Sequence, residues 1–322
     1  MKLAFIIDPI AKLDPGHDSS VAMIEAAQIL GHQIWITEAN QLSIIGGKAW
    51  ATLQGVQLKP VKLIDGSWQA TLDWYQVENK VLTCLEEMDA VFMRSDPPVT
   101  VPYLYTTYIL DLIDPEKTLV VNSPKGLRTA NEKIYALQFT AVIPETIVSQ
   151  DKSVIAKFVE QKQSAVLKPL GGKGGEGILF LESGDRNFNS IIEVSTHQGL
   201  EPVMVQEYLP AAKEGDKRII MLDGEAIGAV NRIPSGNEFR GNMAVGGIAA
   251  KVEITNREQE ICNIVAPQLR ADNLYFVGID VIGGYLTEVN VTSPTGIREI
   301  DRLNNVSLGK QVIEWLENKI SK

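Results

Sequence analysis

Cysteine and histidine are scarce in this chain, two and three among 322 residues. Cys84 and Cys262 cannot build a disulfide framework or a zinc site, and neither sits in a C-x-x-C context. His17, His32 and His197 do not recur at metal-ligand spacing. Positive charge is short as well: 30 Lys and Arg face 40 Asp and Glu, a formal net charge of −10. That balance argues against a general nucleic-acid surface and against docking on anionic lipid, so any basic cluster must be local. No apolar run approaches the ~20 residues of a membrane span. The opening "MKLAFIIDPIAKLD" is a short strand broken at Asp8-Pro9 rather than a signal-peptide core. The expected compartment is the cytoplasm, with neither nucleic acid nor membrane as partner.

What is present reads as an ordinary globular protein, 45% hydrophobic and 22% charged, long enough for roughly two or three domains. "KLAFIID" (2–8) is a near-continuous apolar strand, "SSVAMIEAAQIL" (19–30) a helix capped by Asp18 and closed by Gly31, and "QIWITE" (33–38) a second strand. Together they form a βαβ unit and imply a parallel sheet. "DAVFMRSD" (89–96) is another strand, broken at Pro97-Pro98. In open α/β sheets ligands bind beyond the carboxyl ends of the strands, which is where Asp8, Asp18, Ser19, Ser20 and Arg94 fall. Taken alone, this segment fits capping and loop-solvating roles better.

The stretch 121–140 marks a boundary: a strand end, a Ser-Pro turn, and a helix expected to begin near Thr129 and carry Lys133. Further on, "LKPLGGKGGEGI" (167–178) places five glycines within seven positions. Gly172, Gly174 and Gly177 satisfy G-x-G-x-x-G literally, but that fingerprint requires a helix to follow. Here "ILFLES" follows, an apolar run that reads as a strand and excludes a nicotinamide-dependent oxidoreductase. Walker A fails too, for want of a Gly-Lys-Ser/Thr. What remains is a strand, glycine loop and strand, either a flap whose N–H groups fold over a triphosphate or merely a mobile hairpin tip.

Two stretches favour the flap. "VGIDVIGGYLTEVNVTSPTGIREI" (277–300) reads as two strands joined at Gly283-Gly284, with Glu288 and Asn290 on one face. A plain two-residue turn would set Asp280 opposite Thr287, on the wrong face. A bulge or a three-residue loop sets it opposite Glu288, and that form is predicted. Asp280, Glu288 and Asn290 then gather hard oxygen ligands for Mg²⁺, since unpaired carboxylates on a buried sheet would cost several kcal/mol. The second stretch, "VMVQEYLP" (203–210), can offer main-chain groups to an adenine edge, with Asp216 available to sugar hydroxyls.

From "DPI", "DSS" and "MRSDPP" through "NSPKGLRTANEK", "LKPLGGKGGEGI", "QEYLPAAKEGDKR" and "RIPSGNEFRGNMAVGG" to the terminal hairpin, the chain resembles the ATP-grasp ligases, and within them the bacterial-type glutathione synthetases. The resemblance implies an α/β fold in three parts: a Rossmann-like, pre-ATP-grasp N-terminal domain (1–122), a small lid (123–203) carrying the glycine loop, and a larger C-terminal subdomain (204–322) with the metal hairpin. It implies ATP, Mg²⁺ or Mn²⁺, γ-glutamylcysteine and glycine as ligands, a ligase forming a peptide bond through an acylphosphate, and a homo-oligomer, expected to be a tetramer. Sister ATP-grasp ligases for other carboxylate–amine pairs, and a non-catalytic nucleotide-binding regulator, are the alternatives.

The resemblance also assigns roles. Lys133 and Lys168 contact the nucleotide; loop 171–177, with Gly171, Gly172, Gly174 and Gly175, closes over the phosphates; and main-chain groups of Gln206, Glu207, Tyr208 and Leu209 hold adenine. Asp280, Glu288 and Asn290 ligate metal. No side-chain nucleophile is needed, so catalysis falls to charge control by Arg218, Arg232 and Arg240, with Arg298 as a further guanidinium candidate for substrate. Asp18, Ser19, Ser20, Arg94, Arg218 and Arg298 are the expected substrate contacts. Residues 232–247, rich in glycine, read as a loop that keeps water from the acylphosphate. Two positions depart from the family pattern: Ile248, where a basic residue is common, and Lys173, where some relatives carry a neutral one.

Overall fold

The computed structural model describes every residue except 237–239, 242, 244–245 and 322. The first apolar runs become buried parallel strands, as their lack of polar alternation requires. Lys2–Ile6 lies between Gln33–Thr37 and Ala90–Met93, parallel to both, and Leu119–Val121 extends the sheet beyond Ala90–Met93. Phe5 stacks on Phe92 across that pairing, ring centroids 4.5 Å apart. Asp18 caps helix Ser19–Ile29 by accepting the N–H groups of Ser20 and Val21 at 2.6 and 2.9 Å. Residues 42–84, which carry no clear motif, add an antiparallel half to this sheet through the long strand Lys48–Leu58.

The second sheet has four antiparallel strands, in the order Thr146–Ser149, Val203–Glu207, Ser164–Pro169 and Leu179–Glu182. Leu179–Glu182 is a strand, so the glycine loop opens no helix and cannot be a dinucleotide fingerprint. Val203–Glu207 pairs on both sides within this sheet, so the division expected after residue 203 falls at the start of a lid strand. The third sheet, also antiparallel, runs Ile248–Lys251, Glu225–Ile233, Asp216–Leu222, Phe276–Ile282 and Tyr285–Asn290. Helix Asn256–Ala271 covers it with Ile261, Val265 and Leu269, its start fixed by a Thr255/Glu258 capping box.

One expected element is displaced. The helix near the boundary is Pro124–Thr129, with proline in its first turn and Ser123 as cap, so it ends where it was expected to begin. The Ser-Pro pair starts it, because proline lacks the N–H that a first helical turn leaves unused. Lys133 follows in a tight connection before the short 3₁₀ turn Ile134–Gln138. Asn122 ties the boundary to the third sheet, donating to the carbonyls of Phe276 and Val291 and accepting from Phe276 N–H, all at 2.8 Å.

The chain's last helix, Leu308–Ile320, returns to the first domain. Leu308, Val312, Ile313 and Leu316 share a buried core with Val21 and Ile24. The contact is close because Gly309 has no side chain: a Cβ there would lie 2.7 Å from the Ala22 carbonyl oxygen. Gly309→Val should therefore lose about 1–3 kcal/mol by overpacking, read as a lower urea midpoint at unchanged slope.

Candidate active site

The terminal hairpin adopts the bulged register. Gly283 and Gly284, at φ +56° and +79°, make a two-residue turn that pairs Ile282 with Tyr285. The register then slips between Asp280 and Val281, so Asp280 faces Glu288 and Gly278 faces Asn290. Thr287 is the extra residue, and its hydroxyl donates to the Asp280 carbonyl at 3.2 Å. The slip puts Asp280, Glu288 and Asn290 on one face, with Asn290 donating to Asp280 Oδ2 at 3.2 Å. Glycine at 278 is required because the Arg218 side chain crosses above it, leaving 2.9 Å from a would-be Cβ to Arg218 Cδ.

Next to this face, the neighbouring strands supply arginine. Arg218 lies in register with Asp280 and grips it in fork fashion, Nε to Oδ1 at 2.5 Å and Nη2 to Oδ2 at 2.9 Å. Arg232, one strand further out, reaches Asp280 Oδ2 at 3.0 Å and also pairs with Asp216, its register partner, at 2.5 Å. Asp216 therefore pairs with Arg232 and not with Arg218, its neighbour in sequence. Burial alone would raise the Asp280 carboxyl, but Arg218 and then Arg232 outweigh it and hold that group well below the usual carboxylate range. Asp216 goes the other way: burial pushes it up to about 6 against the pull of Arg232. Asp216 Oδ1 is buried without a hydrogen-bond partner.

The nucleotide candidates converge on the same place. Lys133, buried, pairs with Glu288 at 3.0 Å and donates to the Gly172 carbonyl at 2.9 Å. Lys168 donates to Gln206 Oε1 at 2.9 Å, and burial lowers its ammonium below the usual value. The glycine loop lies over them, with Gly174, Gly175 and Gly177 at positive φ. Arg240 donates to the Gly175 carbonyl at 2.7 Å, and Lys173 reaches Asp96 of the first domain at 3.2 Å. Lys168, Gln206, Tyr208, Leu209, Asp216 and Glu288 line one cavity. Within the expected adenine strip, the N–H groups of Glu207 and Tyr208 are already given to the carbonyls of Glu145 and Ser164. Loop 232–247 lies partly outside the described residues, at 237–239, 242 and 244–245. Ile248 is exposed at the start of its strand.

A second cavity continues towards the first domain and is lined by Asp18 and Arg218, but not by the other four expected substrate contacts. Those four lie behind its wall. Arg94 is buried, donating to Ser20 Oγ at 3.1 Å and to the Pro294 carbonyl at 3.0 Å. Ser19 Oγ accepts from Ile297 N–H at 3.3 Å. Arg298 pairs with Glu25 at 2.8 Å and stacks over Trp68. Ser19, Ser20, Arg94 and Arg298 thus hold the 293–298 segment in place. Side-chain direction, which sequence position does not reveal, separates them from Asp18.

Among the lining residues that sequence reasoning passed over are Lys12, Asp14, His17, Glu132, Asp96 and Glu299. Glu132 accepts from the N–H groups of Val291 and Thr292 and from the Thr292 hydroxyl, at 2.8–3.0 Å. Burial and then Glu288 raise its carboxyl. Its place next to Lys133 was the available signal. His17 Nδ1 meets Glu299 Oε1 at 2.5 Å across 282 positions of sequence, a distance no local pattern encodes.

Two outcomes follow from these pairings. Asp280→Asn should destabilise the fold by about 3–5 kcal/mol, because it leaves two buried guanidinium groups short of their counter-charge; chemical denaturation measures this. Donating a hydrogen bond to the Glu299 carboxylate raises the His17 imidazole above its ordinary value. A raised folded pKa stabilises fully below the unfolded value of about 6.5 and loses that contribution as pH climbs through the folded value. The stability lost on His17→Gln, read by chemical denaturation, should therefore be larger at about pH 5 than at about pH 9; an equal loss at both would contradict the pairing.

Comparison with known proteins identifies the family and the fold. Residues 1–128 match the family profile "Prokaryotic glutathione synthetase, N-terminal domain" and residues 132–305 match "Prokaryotic glutathione synthetase, ATP-grasp domain". The chain is 67% identical to the glutathione synthetase of Nostoc sp. over 99% of both chains. It is 66% identical to that of Synechocystis sp., over 99% of this chain and all of the relative. Among solved structures, D-cycloserine synthetase DcsG superposes with a TM-score of 0.64 at 14% identity, covering 99% of this chain and 100% of that one. The ATP-grasp ligase PsnB, complexed with minimal precursor, Mg and ADP, gives 0.61 at 15%, covering 100% and 98%. At such identity these two establish the fold alone. Matched along nearly its whole length by both profiles and by full-length relatives, the chain belongs to the prokaryotic glutathione synthetase family of ATP-grasp ligases.

Proposed function

We propose that the protein joins the cysteinyl carboxylate of γ-glutamylcysteine to the amine of glycine at the expense of ATP, releasing ADP and phosphate. The observation that carries this reading is the facing of Asp280 and Glu288 across the bulge, beneath a glycine flap held by Lys133 and Arg240. The substrate carboxylate attacks the γ-phosphorus, the bond to ADP breaks, and an acylphosphate forms. Glycine's amine then attacks the acyl carbon and phosphate leaves. The chain contributes position and charge, the main requirements of phosphoryl transfer.

Asp280, Glu288 and Asn290 suit a divalent cation, Mg²⁺ or Mn²⁺: two carboxylates and an amide of hard oxygen chemistry share one face. Among the described residues no cluster of three or more His, Cys, Asp or Glu offers a rival site. When bound, the ion would neutralise phosphate charge. Lys133 and Lys168 hold the nucleotide's phosphates, Gln206 to Leu209 and Asp216 hold its adenine and sugar, and Gly171, Gly172, Gly174 and Gly175 cover it. Arg218, Arg232 and Arg240 stabilise the charge that spreads over the transferring oxygens. Asp18 and Arg218 meet the dipeptide; Ser19, Ser20, Arg94 and Arg298 act from behind. The glycine-rich loop at 232–247 excludes water.

No described helix is long and apolar enough to cross a membrane. A cytoplasmic homotetramer acting on small molecules fits this reading, with lid (123–207) and C-terminal (208–322) parts closing on the nucleotide.

ADP release measured across a matrix of acids and amines tests the reaction. Release only with γ-glutamylcysteine plus glycine is expected, and Glu288→Gln should lower kcat by at least about 100-fold. Release with a different pair would reassign the substrates to a sister ligase, and no release with any pair would favour a nucleotide-binding regulator.

A further inference from the structure

The second cavity reaches from the hairpin to the first-domain loops. On the hairpin side stand Lys133, Arg218 and Arg232, which suit carboxylate and phosphate, with the acids Glu132 and Glu288 beside them. On the first-domain side stand Asp14, Asp18 and Glu299, interrupted by His17 and Lys12. Glu299 is the most constrained of these acids. Its side chain is only 9% exposed, it sits in the first turn of helix Ile297–Asn304, and Oε1 is taken by His17. Its other oxygen, Oε2, is buried with no hydrogen-bond partner. A buried carboxylate oxygen left unpaired is costly, and such exceptions call for a missing partner. The acids on either side are half spent: Asp14 Oδ1 accepts from Gly16 N–H, and Asp18 Oδ1 from Ser20 and Val21. An ammonium group, three donors on one positive centre, matches this arrangement.

We propose that Glu299, backed by His17 and flanked by Asp14 and Asp18, is the specificity residue for the ammonium group at the γ-glutamyl end of the dipeptide. This rests on the reaction proposed above and adds an orientation to it: the ammonium lies against the first-domain loop, and the reacting carboxylate against the hairpin. An acid in a first helical turn also complements the helix dipole. That role alone would not require Oε2 to be buried unpaired beside the cavity, and it would serve every substrate equally.

The test compares γ-glutamylcysteine with glutarylcysteine, identical but for the missing ammonium, using kcat/KM for ADP release with glycine. The wild type is expected to prefer the natural dipeptide by at least about 30-fold, the loss typical of removing one member of a buried charged pair. In Glu299→Gln the preference should fall below about 5-fold, almost entirely through kcat/KM for the natural dipeptide. Two results overturn the assignment: a wild-type preference under about 3-fold, which needs no variant to fold, or a Glu299→Gln enzyme that loses activity on both substrates by the same factor. No turnover of γ-glutamylcysteine by the wild type would instead sink the reaction itself, and this orientation with it.

Discussion

Asp280 between two arginines is the interaction on which the site depends. Its carboxylate is 2% exposed, gripped by Arg218 and touched by Arg232. A lone charge at that depth would cost several kcal/mol. Cross-strand register offsets that cost, because three adjacent strands each contribute one member of the cluster. The one-residue bulge at Thr287 then turns the last strand so that Glu288 and Asn290 join the same face. Without the bulge, Asp280 would look across at Thr287 and the acids would part.

The same economy extends to the rest of the site. Lys133 is balanced by Glu288 and the Gly172 carbonyl, Lys168 by Gln206, and Arg240 reaches the Gly175 carbonyl. Groups suited to phosphate are thus held in place by the chain itself. Such preorganisation lowers the reorganisation needed when charge develops during reaction. The framework behind it is equally specific: Arg94, Ser19 and Arg298 fix the segment that leads from the hairpin to helix Ile297–Asn304, and so set where Glu299 stands.

Much of this was legible in the sequence, for physical reasons that differ by element. The βαβ start could be read because apolar runs and an Asp cap act locally. The strand after Gly177 could be read because "ILFLES" has no helical period. The hairpin register could be read because only one pairing gathers the acids. Three things could not. The start of the Pro124–Thr129 helix is hidden because Ser123-Pro124 reads equally well as a turn and as a helix cap. The burial of Arg94, Ser19, Ser20 and Arg298 depends on where each side chain points across domain contacts. The His17–Glu299 pair joins opposite ends of the chain, so no local pattern announces it. By contrast, the strand Lys48–Leu58 was there to be read, since buried and half-buried positions alternate along it from Ala49 to Gln54.

The central claim is that the bulged hairpin presents Asp280, Glu288 and Asn290 to one divalent ion beneath a covered nucleotide. An anomalous-scattering map from crystals grown with Mn²⁺ and a non-hydrolysable ATP analogue tests it most directly. The account predicts a peak within about 2.5 Å of oxygens from all three side chains, with phosphate oxygens completing the shell. A nucleotide bound under the glycine loop with no peak at the hairpin, or with the ion held by other residues, would contradict it.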